Sequence, residues 1–317
     1  MGPARPRTRV AVLTLAALVV VTVTAVVAVL SDDGGAPYAV TSVRGETVQM
    51  YGGAGPYAFD TVTKALMQRA FDTYYLAAGI PIALIGLTLY LRGRPTGRVL
   101  LASSLLFLVY ALLISSIGIA YNDFFLAYLA GLILSARAMV VLTRDTLAEG
   151  RAAWLPTRRH ERLVAILTLV LAAYFVVTWL VTDIEVLVTG AVHPDLEIYT
   201  TAEQNVTDLA LFATVSLWAA LAALRRRPYS ALFCTALVLM AGQTLVALTV
   251  FSVGASGHPD MADTELEWPL PIAAAVCLGV GLIVLRRLHA AGQLPESVAG
   301  GDLDQLAARH PVPQRTS

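Results

Sequence analysis

Two copies of one tripeptide bring together residue types that bind metal ions or transfer protons. His193-Pro194-Asp195 and His258-Pro259-Asp260 each follow a Gly-Ala pair by a few residues and lie in stretches rich in carboxylates. Neutral imidazole and carboxylate are suitable ligands for a divalent metal, and histidine favours zinc or another transition metal over calcium. The alternative is helix initiation, with proline at the first helical position and acidic residues near the positive helix end.

Four aspartates are the other candidate ligands. Asp60, Asp72, Asp123 and Asp208 lie near the ends of apolar stretches, where a cluster of carboxylates would bind a cation or retain protons. Taken singly, Asp72, Asp123 and Asp208 are expected to be solvated at helix ends. Asp60 is expected to cap a helix by accepting hydrogen bonds from its first free amides. We therefore predict a ligand site at the four aspartates and a metal site at His193 and His258.

The usual sequence signatures of several enzyme classes are absent from this chain. It contains no Gly-x-x-x-x-Gly-Lys-Ser/Thr loop, no Gly-x-Ser-x-Gly elbow and no His-Glu-x-x-His helix. The run Gly52-Gly53-x-Gly55 resembles a phosphate loop but lacks the strand and helix context of one. No catalytic residue is assigned, and the sequence does not decide whether the protein is an enzyme.

The composition defines the class of protein. Hydrophobic residues make up 57% of the 317 residues and charged residues 14%, and the mean hydropathy is +0.70. These values are typical of an integral membrane protein, so the lipid bilayer is the expected partner. A net charge of zero gives no reason to expect a nucleic acid, and no protein partner is indicated. Cys234 and Cys277 lie in apolar runs and are expected to be buried hydrophobic residues, not a disulfide.

Hydropathy predicts an all-α bundle of about eight transmembrane helices. A cleaved signal peptide is the alternative for the first of them, but its apolar core exceeds the usual length of about 7 to 15 residues. The predicted spans are Val10 to Leu30, Tyr75 to Leu91, Val99 to Ala120, Phe124 to Leu142, Leu163 to Thr182, Leu209 to Leu224, Tyr229 to Phe251 and Trp268 to Leu285.

A small cap is predicted between the first two spans. Two extended runs flank Arg44-Gly45 and indicate a β-hairpin, and an amphipathic helix starting at Asp60 is expected to lie at the membrane interface. The predicted divisions are an N-terminus of residues 1–9, a first span of 10–30, a cap of 31–74, a seven-helix bundle of 75–287 and a disordered tail of 288–317.

Charged residues are segregated between the two sets of connections. The side that holds both termini has eighteen arginines and six carboxylates, whereas the other has Arg44, Lys64 and Arg69 and sixteen carboxylates. Because positive residues stay in the cytoplasm, both termini are predicted to be cytoplasmic and the cap extracytoplasmic. The arginine-rich composition, with a single lysine, suggests a bacterial inner membrane.

Part of the chain resembles a family of bacterial polytopic membrane proteins of unassigned function. The likeness covers roughly residues 40 to 135 and implies an architecture, a hairpin and a Gly-x-Gly-x-Tyr-x-x-Asp element before a membrane bundle, without an activity. It rests on Gly45-Glu-Thr-Val48, Gly53-x-Gly55-x-Tyr57-x-x-Asp60-Thr61, Arg69-x-x-Asp72 and Ala120-Tyr-Asn-Asp123-x-Phe125-Leu-x-Tyr128.

Three classes of function are compatible with these observations. The first is a binding or transport-related module for a cation or small polar ligand at the extracytoplasmic face. The second is a membrane-embedded, metal-assisted enzyme that acts on a lipid or envelope precursor. The third is a structural or assembly protein. A transporter favours broken helices and polar groups near the midplane, and Gly79-Ile80-Pro81 and Gln243 are candidates for these.

The predicted topology can be tested with reporter fusions. Because basic residues stay in the cytoplasm, fusions after Gly150 and Arg227 should give a cytoplasmic signal, and fusions after Gly52, Tyr199 and Gly257 an extracytoplasmic one. A cytoplasmic signal at Gly257 would contradict the eight-helix arrangement.

Overall fold

The described part of the chain contains eight helices that are long and apolar enough to cross a membrane. The computed structural model describes residues 6–31, 36–148, 158–193, 196–227, 229–258, 261 and 267–291. The helices are α1 Pro6–Leu30, α2 Val62–Leu91, α3 Pro95–Ile117, α4 Phe125–Ala148, α5 Arg158–Thr189, α6 Glu203–Leu224, α7 Ser230–Ser256 and α8 Pro269–Ala290. The predicted helical membrane bundle is confirmed, and the protein is a multi-pass integral membrane protein.

Several helices extend beyond the apolar stretches that predicted them. α5 continues to Thr189 where hydropathy ended the span at Thr182, and α4 continues to Ala148. Helical hydrogen bonding does not stop where the hydrocarbon stops, so hydropathy locates a span without locating the helix ends. The predicted tail beyond residue 291 lies outside the described residues.

The predicted hairpin is confirmed. Strands β1 Tyr38–Thr41 and β2 Thr47–Met50 pair antiparallel, with Tyr38 opposite Met50. Gly45 has a φ of +92°, and its N–H donates to the carbonyl of Ser42 at 3.0 Å. Glycine supplies the positive φ that this tight turn requires.

The helix that follows the hairpin is not a separate interfacial element. It is the first half of α2, which continues through a π-helical turn at Tyr75–Gly79. Ile80 N–H bonds to Tyr75 O across this turn, directly before Pro81. The proposed break at Gly79-Ile80-Pro81 is therefore a widened turn within a continuous helix. This half of α2 packs against α1 and α7, so it is part of the helical bundle.

α7 is the central helix of the bundle. It contacts α2, α3, α5, α6 and α8, and most of its length is buried. Beside it, the ring centre of Phe107 on α3 lies near three ring centres on α2, at 5.9 Å from Phe71, 5.0 Å from Tyr74 and 5.6 Å from Tyr75. Such offset and edge-on ring pairs fix α2 against α3 and thereby position the residues at the cap end of both helices.

Close backbone contact joins α2 and α3 at the opposite end. A Cβ added at Gly97 would lie 2.1 Å from the backbone nitrogen of Tyr90 and 2.4 Å from the carbonyl carbon of Leu89. Backbone atoms cannot move aside as a flexible side chain can, so only glycine fits here. Gly279 on α8 is the opposite case, because no atom lies within 4 Å of its added Cβ.

We expect Gly97→Ala to be strongly destabilising and Gly279→Ala to be tolerated. The first change should lower the free energy of unfolding by about 2 kcal/mol or more, because the helices must separate. The second should leave it unchanged or raise it by up to about 1 kcal/mol, because alanine favours helix. Thermal unfolding of both variants in one detergent measures the difference, and equal midpoints would contradict the close contact.

Candidate functional site

Asp60 is a fully buried carboxyl group at the cap end of the bundle. It precedes α2 and has no solvent-exposed surface. Its Oδ1 accepts hydrogen bonds from Ala120 N–H and Tyr199 O–H, both at 2.6 Å, while Oδ2 has no hydrogen-bond partner among the described residues. The prediction that Asp60 caps α2 is wrong. Thr61 occupies the N-cap, and its hydroxyl accepts from Lys64 N–H, which frees Asp60 to reach the α3–α4 turn.

The environment of Asp60 favours its protonated form. Burial raises the pKa of Asp60 to about 6, although the hydrogen bonds from Ala120 and Tyr199 lower it in part. Burial and the nearby Asp60 also raise the pKa of Tyr199, so this phenol keeps its proton and remains a donor. Asp60 is therefore a carboxyl that exchanges its proton close to neutral pH.

The α5–α6 loop is held against the hairpin by directional bonds. The Arg44 guanidinium donates to the carbonyls of Tyr199 and Glu197, and the Thr61 hydroxyl donates to the Glu197 carboxylate. Glu197 has a φ of 47°, unusual for a residue with a side chain. These bonds hold Glu197 in that conformation and place Tyr199 over Asp60.

A buried ion pair lies beside Asp60. Lys64, the only lysine in the chain, contacts the Glu203 carboxylate, and both side chains are at most 8% exposed. The ammonium also lies 5.6 Å from the centre of the Tyr199 ring. Gly118 at the end of α3 leaves room for Glu203, since an added Cβ would lie 2.7 Å from its Cγ. Removing one partner would leave the other charge buried and uncompensated.

Asp72 is buried within α2, where the sequence predicted a solvated carboxylate. That prediction is wrong for Asp72, which is 5% exposed. Tyr57 O–H donates to Asp72 Oδ2 at 2.6 Å, and the hydroxyls of Tyr57 and Tyr128 lie 3.4 Å apart. Burial and then the neighbouring Asp72 raise the pKa of Tyr57, which stays protonated. The three groups form a continuous chain of hydroxyl and carboxyl oxygens.

Asp208 is also buried, which again contradicts the prediction of a solvated helix end. It lies in a π-helical turn at Thr207–Ala213 of α6 and has no exposed surface. Tyr110 on α3 donates to one carboxylate oxygen at 2.8 Å, and Trp179 on α5 donates to the other at 2.9 Å. Both oxygens are therefore satisfied, and one residue ties three helices together.

The two histidines have different neighbours. His193 Nε2 lies 3.4 Å from Asp183 Oδ1 and 3.2 Å from Asn205 Nδ2, whereas the His258 ring lies 6.5 Å from the ring of Tyr51. Among the described residues, no group of three or more His, Cys, Asp or Glu side chains is arranged to hold a metal ion. Metal binding by His193 and His258 therefore stays a prediction.

Helix initiation at the two tripeptides also stays a prediction. Their remaining members, Pro194 and Asp195 in one and Pro259 and Asp260 in the other, lie outside the described residues. What the structure shows is the loop that carries His193: it belongs to the same α5–α6 connection that the hairpin holds over Asp60.

Of the predicted ligand residues, Asp123 lines a cavity, which we call the cap cavity. The cap cavity, of about 450 Å³, lies between the end of α1, the Gly53–Phe59 segment and the α3–α4 turn, and Asp123 is exposed on its wall. The inner cavity, of about 80 Å³, shares Tyr121 and Asn122 with the cap cavity.

The inner cavity adjoins the buried acidic groups. Ala120 and Tyr128 both line it, and they bond to Asp60 and to Tyr57 respectively. Ser115, also on its wall, donates to Gln68 of α2 at 3.0 Å. A cavity of this size accommodates several water molecules or one small cation. The two cavities and the Asp60 and Asp72 carboxyls form what we call the cap site.

Sequence reasoning missed most of the partners in the cap site. Tyr57 and Tyr128 entered only through the family resemblance, and Tyr199 and Glu203 were not singled out. One signal was present: Lys64 is one of three cations on a side with sixteen carboxylates, so a buried counter-ion was to be expected.

Comparisons with protein-family models, curated proteins and solved structures find no match to this chain. The fold and the cap site therefore define the class, a multi-pass membrane protein with buried acidic groups at one end, and the bacterial family likeness stays a prediction.

We expect Asp60 to make stability fall as the pH rises. Its pKa of about 6 in the folded protein exceeds the usual 3.8, so the folded state binds the proton more tightly. This stabilisation, of the order of 3 kcal/mol, is complete below about pH 4 and is lost as the pH passes about 6. Unfolding measured at a series of pH values should show the slope in the wild type and a flatter profile in Asp60→Asn.

The substitution Asp60→Asn is conservative because the amide oxygen still accepts from Ala120 and Tyr199. Asp123→Asn is the matched control, since Asp123 belongs to the same region and is exposed. The control should keep the wild-type slope. An unchanged slope in Asp60→Asn would mean that Asp60 does not titrate in this range.

Proposed function

We propose that the protein is a binding module that takes up a small cation or small polar cationic ligand at the cap site, in exchange for a proton. The observation that carries the proposal is the buried Asp60 carboxyl: its Oδ1 accepts from Ala120 N–H, a residue in the wall of the inner cavity, and its Oδ2 has no hydrogen-bond partner among the described residues. Near pH 6 such a carboxyl is protonated in a substantial fraction of molecules, and it becomes an anionic ligand when a cation displaces the proton.

The proposal has the ligand enter by way of the cap cavity. The cap cavity has polar as well as apolar walls, and it shares Tyr121 and Asn122 with the inner cavity. Asp123 at the mouth attracts cations by its charge. The Lys64 ammonium near Asp60 is itself paired with the Glu203 carboxylate.

Tyr128, Tyr57 and Asp72 provide a second acidic group within reach of the inner cavity. Tyr128 lines that cavity, and its hydroxyl approaches that of Tyr57, which bonds to Asp72. Rotation of the two hydroxyls would relay a proton between the cavity and Asp72. The proposal assigns Asp60 the ligand contact and Asp72 the role of proton store.

Orientation and location belong to the same proposal. The charge segregation favours an extracytoplasmic cap site and cytoplasmic termini, and the composition favours a bacterial inner membrane. Transport across the bilayer is a further step that would require a path beyond the inner cavity.

Proton release tests the proposal. The full chain in lipid nanodiscs, in weak buffer at about pH 6, is titrated with Na⁺, K⁺, Ca²⁺ and guanidinium while an indicator dye reports released protons. We expect at least one cation to release a fraction of a proton per protein, with less release above about pH 8, where Asp60 is already ionised. Asp60→Asn should abolish the release.

Glu185→Gln is the control for this experiment, because Glu185 is an exposed carboxylate of α5 outside the cap site. It should release protons as the wild type does. Absence of release with every cation in the wild type would refute the proposal, and equal release in Asp60→Asn would assign it to another group.

A further inference from the structure

A third cavity lies within the helical bundle, away from the cap site. This bundle cavity has a volume of about 300 Å³ and lies between α5, α7 and α8. Its floor includes Met240 and Ala241 of α7, and its walls include Val170 and Tyr174 of α5 and Ala273 of α8. The volume is at the lower end of the range for small-molecule pockets.

The bundle cavity opens sideways, toward the surface that faces lipid. Val170 and Tyr174 on α5 are each 56% exposed and Val276 on α8 is 49% exposed, although all three line the cavity. α5 and α8 both pack on α7 and have little contact with one another. The gap between them at membrane depth is therefore open to hydrocarbon.

The hydroxyls of the two buried polar residues in the cavity wall, Tyr110 and Thr244, are already occupied. Tyr110 donates its hydroxyl proton to Asp208, and the Thr244 hydroxyl donates to Met240 O at 3.2 Å. A stable water needs two to four polar partners, and these walls do not supply them. An apolar occupant instead regains the dispersion contacts that an unfilled cavity loses.

The size of the cavity selects among apolar occupants. A turn of α-helix is about 10 Å across and is much bulkier than a single hydrocarbon chain. The narrower occupant is therefore the better match to a cavity of about 300 Å³. A single hydrocarbon chain is narrow enough to enter between α5 and α8 and reach Met240 and Ala241.

One wall of the cavity is a fixed series of aromatic rings. The ring centre of Phe212 lies 6.5 Å from that of Tyr110 and 4.9 Å from that of Phe175. The ring centres of Phe175 and Tyr174 are 5.6 Å apart. Asp208 anchors the series by accepting hydrogen bonds from Tyr110 and from Trp179. A wall held in this way is preorganised, so binding an occupant costs little conformational entropy in the wall.

We propose that the bundle cavity binds one acyl chain of a bilayer phospholipid, which enters between α5 and α8. The phospholipid acyl chain is the occupant because it is the narrow apolar chain that a membrane presents at the opening in bulk. The site does not depend on the function proposed for the cap site, since the two share no lining residue.

Photo-crosslinking tests this proposal. The full chain is placed in nanodiscs of phosphatidylcholine that contain a tracer with a diazirine in its acyl chain, and labelled residues are identified by mass spectrometry. Met240 and Ala241 are only 3% and 4% exposed, so surrounding lipid cannot label them unless a chain enters. We expect label at these two residues and at Val253, which is 56% exposed on the same helix.

Filling the cavity should remove the inner label only. Ala273→Leu or, as a second filling variant, Val276→Phe should reduce label at Met240 and Ala241 at least about fivefold and leave label at Val253 unchanged. Ala275→Leu is the matched control, because Ala275 is exposed on the same helix and does not line the cavity. It should label as the wild type does.

Three results would overturn the proposal. The first is a wild type with label at Val253 and none at Met240 or Ala241, which decides the question even if neither filling variant folds. The second is undiminished inner label in folded filling variants. The third is evidence for a different occupant. In that case a polyisoprenoid displaces the inner label at a low molar fraction while unlabelled phospholipid does not, or Met240 and Ala241 crosslink to a second protein chain instead of to the lipid tracer.

Discussion

The withdrawal of the Asp60 carboxyl from water is the constraint on which the cap end of this protein depends. A buried carboxyl without partners is costly, and here the two partners come from separate parts of the chain while a third part holds one of them in place. The α3–α4 turn supplies Ala120 N–H, the α5–α6 loop supplies the Tyr199 hydroxyl, and Arg44 of the hairpin holds that loop in place. The positions of hairpin, turn and loop follow from satisfying one group.

The bundle could be predicted from the sequence because lipid imposes a simple rule. Every span needs about 20 apolar residues, and arginines accumulate on one side, so hydropathy and charge identify the eight helices without tertiary information. The hairpin was equally local: Gly45 marks a turn that only a positive φ completes. Where the structure depends on neighbours in sequence, the sequence was sufficient.

The cap site was only partly predictable because its partners are distant in sequence. Asp72 and Asp208 were identified as candidates, but solvated helix ends seemed sufficient to explain them. Whether they are buried is decided by Tyr57, 15 residues before Asp72, and by Tyr110, 98 residues before Asp208. A tyrosine at such a distance leaves no local signal, and a single sequence does not indicate which hydroxyl reaches which carboxyl.

The error at Asp60 has a different cause. Aspartate and threonine are both good N-cap residues, so a one-residue shift in the start of α2 cannot be resolved from preference alone. The structure assigns the cap to Thr61, and this shift separates a surface role from a buried one. His193 was unpredictable for the reason given for Asp72 and Asp208, since its neighbours Asp183 and Asn205 belong to two different helices.

The order in which donors and acceptors are synthesised has a consequence for insertion into the membrane. Asp72 follows its donor Tyr57 in the chain, and Asp208 follows both Tyr110 and Trp179. Asp72 and Asp208 therefore leave the ribosome after the side chains that donate to them. Asp60 precedes its donor Tyr199, and because it lies before the start of α2 it can stay hydrated until the loop with that donor arrives.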